Sequence, residues 1–400
     1  MTTCGRVAIV GLGLLGLAAP AGASETSWTF QRIDSSGIGS SPLISLGMRT
    51  GATWPTVFYE PSGSSNGLVS ASLSPLGWAK TTLDTSGAYS FVRNAAGADG
   101  RLGAAWQSAQ GNPRIQFAQL TASGWQYSTV ANLQSTPSSS GVNAPDVAYL
   151  PGNRPVVAYA DTSGSKIKVA VQNALGWESE AISYYPSGPS TGTYVSTAVN
   201  SQGDIGVAYA YSSSVVYAQK ALPGGAWSFV QLPTNFASVR NISLAYGPHD
   251  EVGLAVLNSS GNLNYAHFDI QSGQWQSDLL ATGIITSPRI DLVFDNAGHP
   301  SLAYVGMDQT PTVHYWKNNG DGWADSTLPV GTDANNLYIT PMGGSDAALA
   351  LDRNGVPVIS YYSSQSGLVL AYDPQITPEP ATLLAVAAGL GIISRRQRRV

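Results

Sequence analysis

Tryptophan recurs along this chain at a nearly constant interval, and that interval constrains the fold more than any other feature. Six tryptophans are separated by 47, 52, 50, 48 and 48 positions: Trp78, Trp125, Trp177, Trp227, Trp275 and Trp323. An aliphatic residue stands five positions after each of them. A period of this length indicates a chain built from copies of one supersecondary unit.

Each repeat has the pattern of four short antiparallel strands. In one copy, residues 290–294 are apolar, residues 295–298 have the composition of a turn, and residues 300–305 and 313–316 are two further strand segments before Trp323. Short alternating apolar segments separated by Asx and Gly turns are typical of β-hairpins. The repeats therefore predict strands rather than helices.

Repeats of this size with four strands each are typical of β-propeller blades. We predict an all-β fold, a seven-bladed β-propeller of four-stranded antiparallel blades. The last repeat, residues 346–373, has three strands, whereas Trp28 begins a lone strand 50 positions before Trp78. The N-terminal strand is therefore expected to close the last blade and leave no open sheet edge. A ring of six or eight blades, a β-solenoid and tandem sandwiches are the alternatives.

An aromatic residue also recurs in the second strand of the repeats. It is expected to pack between neighbouring blades, because large aromatic side chains dominate burial between sheets. A ring of aromatic ligands is the alternative. The positions are Phe58, Trp106, Tyr159, Tyr209, Tyr304 and Tyr361.

The N-terminal residues 1–23 have the pattern of a secretory signal peptide. Arg6 precedes an apolar run over residues 7–19, and Ala21 and Ala23 provide the small residues that signal peptidase requires. Cleavage there would leave Ser24 as the first residue. The single cysteine, Cys4, would be lost with the signal, so the mature chain would contain no disulfide.

The C-terminal residues 377–400 form a three-part pattern. Pro378, Glu379 and Pro380 precede an apolar stretch over residues 381–393, and Arg395, Arg396, Arg398 and Arg399 follow it. The stretch is shorter than the roughly 20 residues of an ordinary membrane span, and arginines favour retention on the cytoplasmic side. The pattern resembles the PEP-CTERM sorting signal of Gram-negative bacteria.

That resemblance implies a route rather than an activity. It implies a short transmembrane helix, processing by an exosortase-type protease, and a place in the cell envelope, at the surface or in an extracellular matrix that contains exopolysaccharide. A plain membrane anchor is the alternative, so the anchor would be transient or retained. The predicted domains are the signal peptide at residues 1–23, the propeller at 24–376 and the sorting signal at 377–400.

Residue patterns for cofactor or metal chemistry are weak. The four histidines, His249, His267, His299 and His314, lack the paired spacing of a zinc site. Residues 318–322 could offer oxygen ligands to calcium, but a tight turn explains them better. We therefore predict no catalytic residue, cofactor or metal.

A secreted glycosidase or lyase, sialidase-like or otherwise, is the enzymatic alternative. Such an enzyme needs two carboxylates about 5–10 Å apart in one pocket, or a carboxylate with a tyrosine nucleophile. Glu60, Asp161 and Asp308 are scattered, and the acidic residues Asp204, Asp295 and Asp352 are expected to close hairpin turns. A non-catalytic protein is the favoured interpretation.

The long connections between blades supply a candidate ligand face. Tyr184, Tyr185, Tyr194 and Tyr338 lie there among Ser, Thr and Asn, a composition suited to contacting sugars or another protein. Solvated loops without a ligand, or a propeller serving only as a rigid spacer, are the alternatives. A net charge of -5 argues against nucleic acid as a partner. The expected function is an exported binding or scaffolding module with exopolysaccharide or surface proteins as partners.

Overall fold

The short alternating segments around each tryptophan form antiparallel sheets in the computed structural model. The structure describes residues 28–35, 44–49, 54–61, 67–74, 76–85, 92–108, 113–133, 145–161, 166–182, 194–211, 213–221, 224–232, 236, 238–284, 289–307, 310–341 and 344–373. Within these residues, the strands form seven four-stranded sheets, the blades, and one two-stranded ribbon.

The first four blades follow the chain in order, from the innermost strand to the outermost. Blade 1 contains β2 (Ser45–Met48), β3 (Pro55–Tyr59), β4 (Val69–Ser74) and β5 (Gly77–Thr82). Blade 2 contains β6 (Arg93–Ala96), β7 (Leu102–Ser108), β8 (Arg114–Thr121) and β9 (Gly124–Asn132). Blade 3 contains β10 (Asp146–Leu150), β11 (Arg154–Asp161), β12 (Lys166–Asn173) and β13 (Gly176–Ile182). Blade 4 contains β14 (Val195–Val199), β15 (Ile205–Tyr211), β16 (Ser214–Lys220) and β17 (Trp227–Gln231).

The remaining blades include the ribbon and the N-terminal strand. Blade 5 contains β18 (Val239–Tyr246), β19 (Val252–Asn258), β20 (Leu263–Asp269) and β21 (Gln274–Ala281). Blade 6 contains β22 (Asp291–Phe294), β23 (Pro300–Met307), β24 (Pro311–Asn318) and β25 (Trp323–Thr327). The ribbon is β26 (Gly331–Thr332) with β27 (Tyr338–Ile339). Blade 7 contains β28 (Gly344–Leu351), β29 (Pro357–Ser363), β30 (Gly367–Tyr372) and the N-terminal β1 (Thr29–Asp34).

The blades surround a central channel and close into a ring. The innermost strand of each blade contacts those of two neighbours, and the contacts lead from β2 through β6, β10, β14, β18, β22 and β28 back to β2. Apolar side chains between successive blades form the buried clusters of the core. The predicted seven-bladed propeller of four-stranded blades is confirmed.

The N-terminal strand closes the ring, as the repeat pattern predicts. β1 pairs antiparallel with β30, with Thr29 opposite Tyr372. Its last residue, Asp34, accepts hydrogen bonds from the Tyr59 hydroxyl at 2.8 Å and the Lys80 ammonium at 2.7 Å, both in blade 1. The ribbon packs against β1, with an isolated bridge between Phe30 and Asp333.

The recurrent second-strand aromatics are buried, as packing between blades requires. Tyr159, Tyr209 and Tyr361 are at most 2% exposed. The sequence assignment is wrong in blade 1, where register makes Tyr59 rather than Phe58 the equivalent. Phe58 pairs with Ser45 as Ala158 pairs with Asp146, which places Phe58 one position earlier.

The predicted signal peptide and sorting signal lie outside the described residues. Across the part of the chain that the structure describes, no helix is long and apolar enough to span a membrane.

Candidate functional site

The central channel contains a buried cluster of charged side chains. The cavity in this channel has a volume of about 360 Å³. Arg93 of blade 2 reaches Asp291 of blade 6, with 2.7 Å between Nη1 and Oδ1, so this ion pair crosses the channel. Arg289 Nε lies 2.9 Å from the same oxygen. Burial alone would raise the pKa of Asp291, but the charges of Arg289 and Arg93 outweigh it and lower that pKa.

A belt of hydrogen bonds connects the innermost strands of successive blades. In four blades the acceptor is a side-chain oxygen at the same position of the innermost strand. The donor is a backbone N–H of the next blade, and it belongs to the residue that follows the equivalent position in that blade. The pairs are Asp146 with Thr197 (2.8 Å), Ser196 with Leu244 (3.0 Å), Ser243 with Leu292 (3.0 Å) and Asp291 with Leu349 (3.0 Å). These hydrogen bonds connect successive blades of the propeller, and each of the four side chains uses an oxygen to accept one of them.

The belt changes where blade 7 meets blade 1. The equivalent position there is Ala348, and Asp346 instead accepts from the Ile44 N–H at 2.7 Å. Burial raises the pKa of Asp346 to about 7, a value suited to a general acid. Its side chain is fully buried, however, and does not line the channel cavity. The carboxylates that line the cavity, Asp146 and Asp291, are both engaged in the belt.

The periodic tryptophans pack against the preceding blade. Four of them lie at the start of an outer strand and meet an aromatic ring on the third strand of the neighbouring blade, edge to face, with ring centroids 4.9–6.2 Å apart. The pairs are Trp177 with Phe117, Trp275 with Tyr217, Trp323 with Tyr265 and Trp28 with Tyr315. Such contacts support a structural role for these tryptophans.

Three blades lack the third-strand ring. Blade 1 has Ser70 at that position, and Phe58 on the adjacent strand supplies the ring that meets Trp125 at 5.9 Å. Blade 3 has Val169 and blade 7 has Leu370, opposite Glu180 and Gln31 of the outer strands. These two aliphatic side chains fill less of the space beside the next blade than a ring would.

A cleft of about 320 Å³ opens between blades 3 and 4 beside Val169. We call it cleft 3/4; Arg154, Glu178, Glu180 and Lys220 provide its charged wall. Lys220 Nζ lies 2.5 Å from Glu180 Oε1 and 5.8 Å from the centroid of the Trp227 ring. Convergent donors and acceptors beside apolar and aromatic groups are typical of small-molecule sites.

The predicted tyrosine face is only partly described. Tyr184 and Tyr185 lie outside the described residues. Tyr194 is half-buried and packs against the apolar cluster between blades 4 and 5. Tyr338 is 60% exposed on the ribbon before blade 7. The two described tyrosines therefore belong to separate parts of the ring, and the ligand face stays a prediction.

The scattered acidic residues have local partners. Asp161 is paired with Lys168 at 2.7 Å. Asp295 and Asp352 accept hydrogen bonds from N–H groups of their own turns, as expected. In blade 4 the turn is closed by Asn200 instead, whose side-chain oxygen accepts from the N–H of Asp204. Asp308 lies outside the described residues. Among the residues that are described, no three His, Cys, Asp or Glu side chains cluster as metal ligands would.

Sequence reasoning missed cleft 3/4. Its signal was available as an exception within the repeat, a valine where four blades carry phenylalanine or tyrosine. Finding it requires aligning the third strands, whose spacing from the tryptophan varies with turn length.

Comparisons with known proteins place the fold. No family model matches the chain, and no curated protein matches its sequence. The fucose-specific lectin from Aleuria aurantia aligns with a TM-score of 0.55 and 14% identity, over 75% of this chain and 99% of the lectin. AofleA from Arthrobotrys oligospora aligns at 0.51 and 12%, over 76% and 90%. An ulvan lyase, a polysaccharide lyase, aligns at 0.55 and 9%, over 85% and 94%. At these identities the likeness shows the propeller fold alone.

Proposed function

We propose that this chain is an exported, non-catalytic carbohydrate-binding propeller in which cleft 3/4 receives a sugar unit. The observation that carries the proposal is the open cleft beside Val169. Glu178 and Glu180 can accept hydrogen bonds from hydroxyl groups, and Lys220 and Arg154 can donate to them. Val169 and Val171 give the cleft an apolar side next to these charged groups.

Two further observations support carbohydrate as the ligand class. A fucose-specific lectin is among the solved structures that share the propeller fold. The wall of cleft 3/4 carries two acidic and two basic side chains, and this balance suits a neutral, hydroxyl-rich ligand better than a strongly charged one. Exopolysaccharide at the cell surface is the partner that this reading favours.

Binding measurements test the proposal directly. The full chain in mild detergent is titrated with methyl α-L-fucoside, methyl β-D-galactoside and N-acetyl-D-glucosamine. Glu180→Gln should weaken binding at least tenfold, because the neutral amide loses the charge-assisted contacts of the carboxylate. Asp278→Asn is the matched control, since Asp278 lies opposite Tyr265 as Glu180 lies opposite Val169, in a filled cleft. Equal loss in both variants would contradict the site.

A cleavage assay separates binding from catalysis. An ulvan lyase shares the fold, so the chain is also incubated with ulvan and with neutral polysaccharides while new chain ends are measured. Binding without cleavage is the expected outcome. Cleavage would favour the glycoside-active alternative.

A further inference from the structure

Another pocket lies where the N-terminal strand closes the propeller. It encloses about 350 Å³ between β1, the ribbon and Trp78 of blade 1, and we call it the closure pocket. Gln31 and Arg32 contribute one wall, and Asp333 and Asn335 another. Like cleft 3/4, it lies at a blade interface without the third-strand ring, since blade 7 carries Leu370 at that position.

Two N–H donors in the wall of the closure pocket have no acceptor. They are Nε of Arg32 and Nε1 of Trp78. Arg32 Nη2 donates to the Tyr338 carbonyl at 3.2 Å, but its Nε lies 3.9 Å from Asp333 Oδ2, beyond hydrogen-bond distance. The indole N–H of Trp177 donates to Ser128 at 3.0 Å, whereas those of Trp227, Trp316 and Trp323 are without an acceptor, as that of Trp78 is. Buried donors are nearly always paired, and among the described residues Arg32 Nε is the one guanidinium nitrogen that is buried without an acceptor. This nitrogen, beside the indole N–H of Trp78, marks the closure pocket as a place for an acceptor oxygen.

The charges around the closure pocket are already balanced. Asp34 Oδ2 accepts from Lys80 and Tyr59, and Asp333 Oδ1 accepts from the N–H groups of Asn335 and Leu337 at 2.9 Å. An incoming anion would meet both carboxylates. A neutral ligand with acceptor oxygens avoids that repulsion and satisfies Arg32 and Trp78.

We propose that the closure pocket is a second saccharide site, which takes a neutral sugar unit through Arg32, Trp78 and Asp333. The ligand class rests on the proposed function, whereas the site rests on the pocket and on the unpaired Nε of Arg32 in its wall. Because its walls come from β1, the ribbon and blade 1, a bound sugar contacts three segments that meet only in the closed ring. Occupation therefore stabilises closure by binding the closed form alone.

Trp78→Phe isolates the donor from its packing. It keeps a ring at the interface and removes the indole N–H. Trp323→Phe is the matched control, because the Trp323 N–H is also unpaired but its cleft is filled by Tyr265. Titration of the full chain with N-acetyl-D-glucosamine should give two sites in the wild type and Trp323→Phe, and one in Trp78→Phe. Backbone amide exchange in β1 should slow on saturation at least threefold, except in Trp78→Phe.

The outcomes separate the two sites. Two sites in Trp78→Phe, or β1 exchange unaffected by sugar in the wild type, would overturn the closure site while leaving cleft 3/4 intact. No binding to either site overturns both proposals. Tighter binding of glucuronate than of the neutral sugar would overturn the assigned ligand class.

Discussion

At the scale of single residues, one side chain per repeat decides whether the space between two blades is filled or open. Phe117, Tyr217, Tyr265 and Tyr315 fill it, and Val169 does not. The tryptophans could be recognised from their period, but the aromatic ring that each one meets depends on strand register. Phe58 illustrates the difficulty, since it compensates for Ser70 from another strand.

Filling cleft 3/4 should abolish sugar binding there. In Val169→Phe the new ring would occupy the space that Phe117 occupies in blade 2, where it lies 5.3 Å from Trp177. We expect loss of sugar binding at this site with an unchanged or raised melting temperature, because the new phenylalanine side chain adds an aromatic contact between the two blades. Calorimetric titration and thermal unfolding measure the two effects.

The reverse change supplies the control for that prediction. Phe117→Val opens the interface between blades 2 and 3 and should destabilise the protein by roughly 1–3 kcal/mol through the lost contacts. It should leave binding at cleft 3/4 intact. Full affinity in Val169→Phe would show that the sugar binds elsewhere.

Asp346 should make stability depend on pH near neutrality. Its pKa is about 7 in the folded protein, against roughly 3.9 in an unfolded chain. Between these values the folded state holds a proton that the unfolded state has lost, so stability falls with rising pH by roughly 1.4 kcal/mol per unit. The fall ends above the folded pKa.

Asp346→Asn removes the titration while its amide oxygen can still accept from Ile44. Melting temperatures between pH 4.5 and 8 should decline in the wild type and decline less in the variant. Parallel curves for the two proteins would exclude Asp346 as the titrating group.

At the scale of elements, β1 and the belt decide how the blades stay together. The closing role of β1 could be predicted, because a lone strand at one end and a three-stranded repeat at the other complement each other. The belt could not, because its donors and acceptors lie one residue apart across neighbouring blades. That offset relates residues of different blades and leaves no local pattern in the sequence.

Deleting residues 28–34 should expose the edge of β30. An unpaired strand edge is a template for pairing with another chain, so we expect dimers or larger assemblies in light scattering after size-exclusion chromatography. Asp34→Asn is the control, since it keeps the strand and removes only the charge facing Lys80. It should remain monomeric if the wild type is, and a monomeric deletion variant would contradict the role of β1.

At the scale of the whole molecule, the repeat period was enough to predict the ring and its blade number. The predicted signal peptide and sorting signal do not depend on the repeat period, and they remain part of the proposal. In the proposed function, ligand specificity lies at the opposite extreme, because it would depend on a few side chains at two of the blade interfaces. Such side chains are exceptions to the repeat, and a repeat pattern does not predict its own exceptions.

The sorting prediction is tested by the mass of the protein from its native cells. We expect a chain that begins at Ser24 and lacks the residues after the Pro378–Pro380 box, in the surface or medium fraction. Glu379→Ala should retain the C-terminal tail and accumulate in the membrane fraction. An intact Val400 terminus in the wild-type protein would instead favour a plain anchor.

The pairing of β1 with β30 also has a consequence in time. Gln31 and Tyr372, which hydrogen-bond across this pair, are 341 positions apart. At a synthesis rate of roughly 5–20 residues per second, the first strand emerges about 17 to 70 seconds before its partner exists. Six blades can fold as they emerge, but β1 must wait unpaired for the end of the seventh. A factor that shields this segment from other chains during that interval would protect the protein without recognising its folded form.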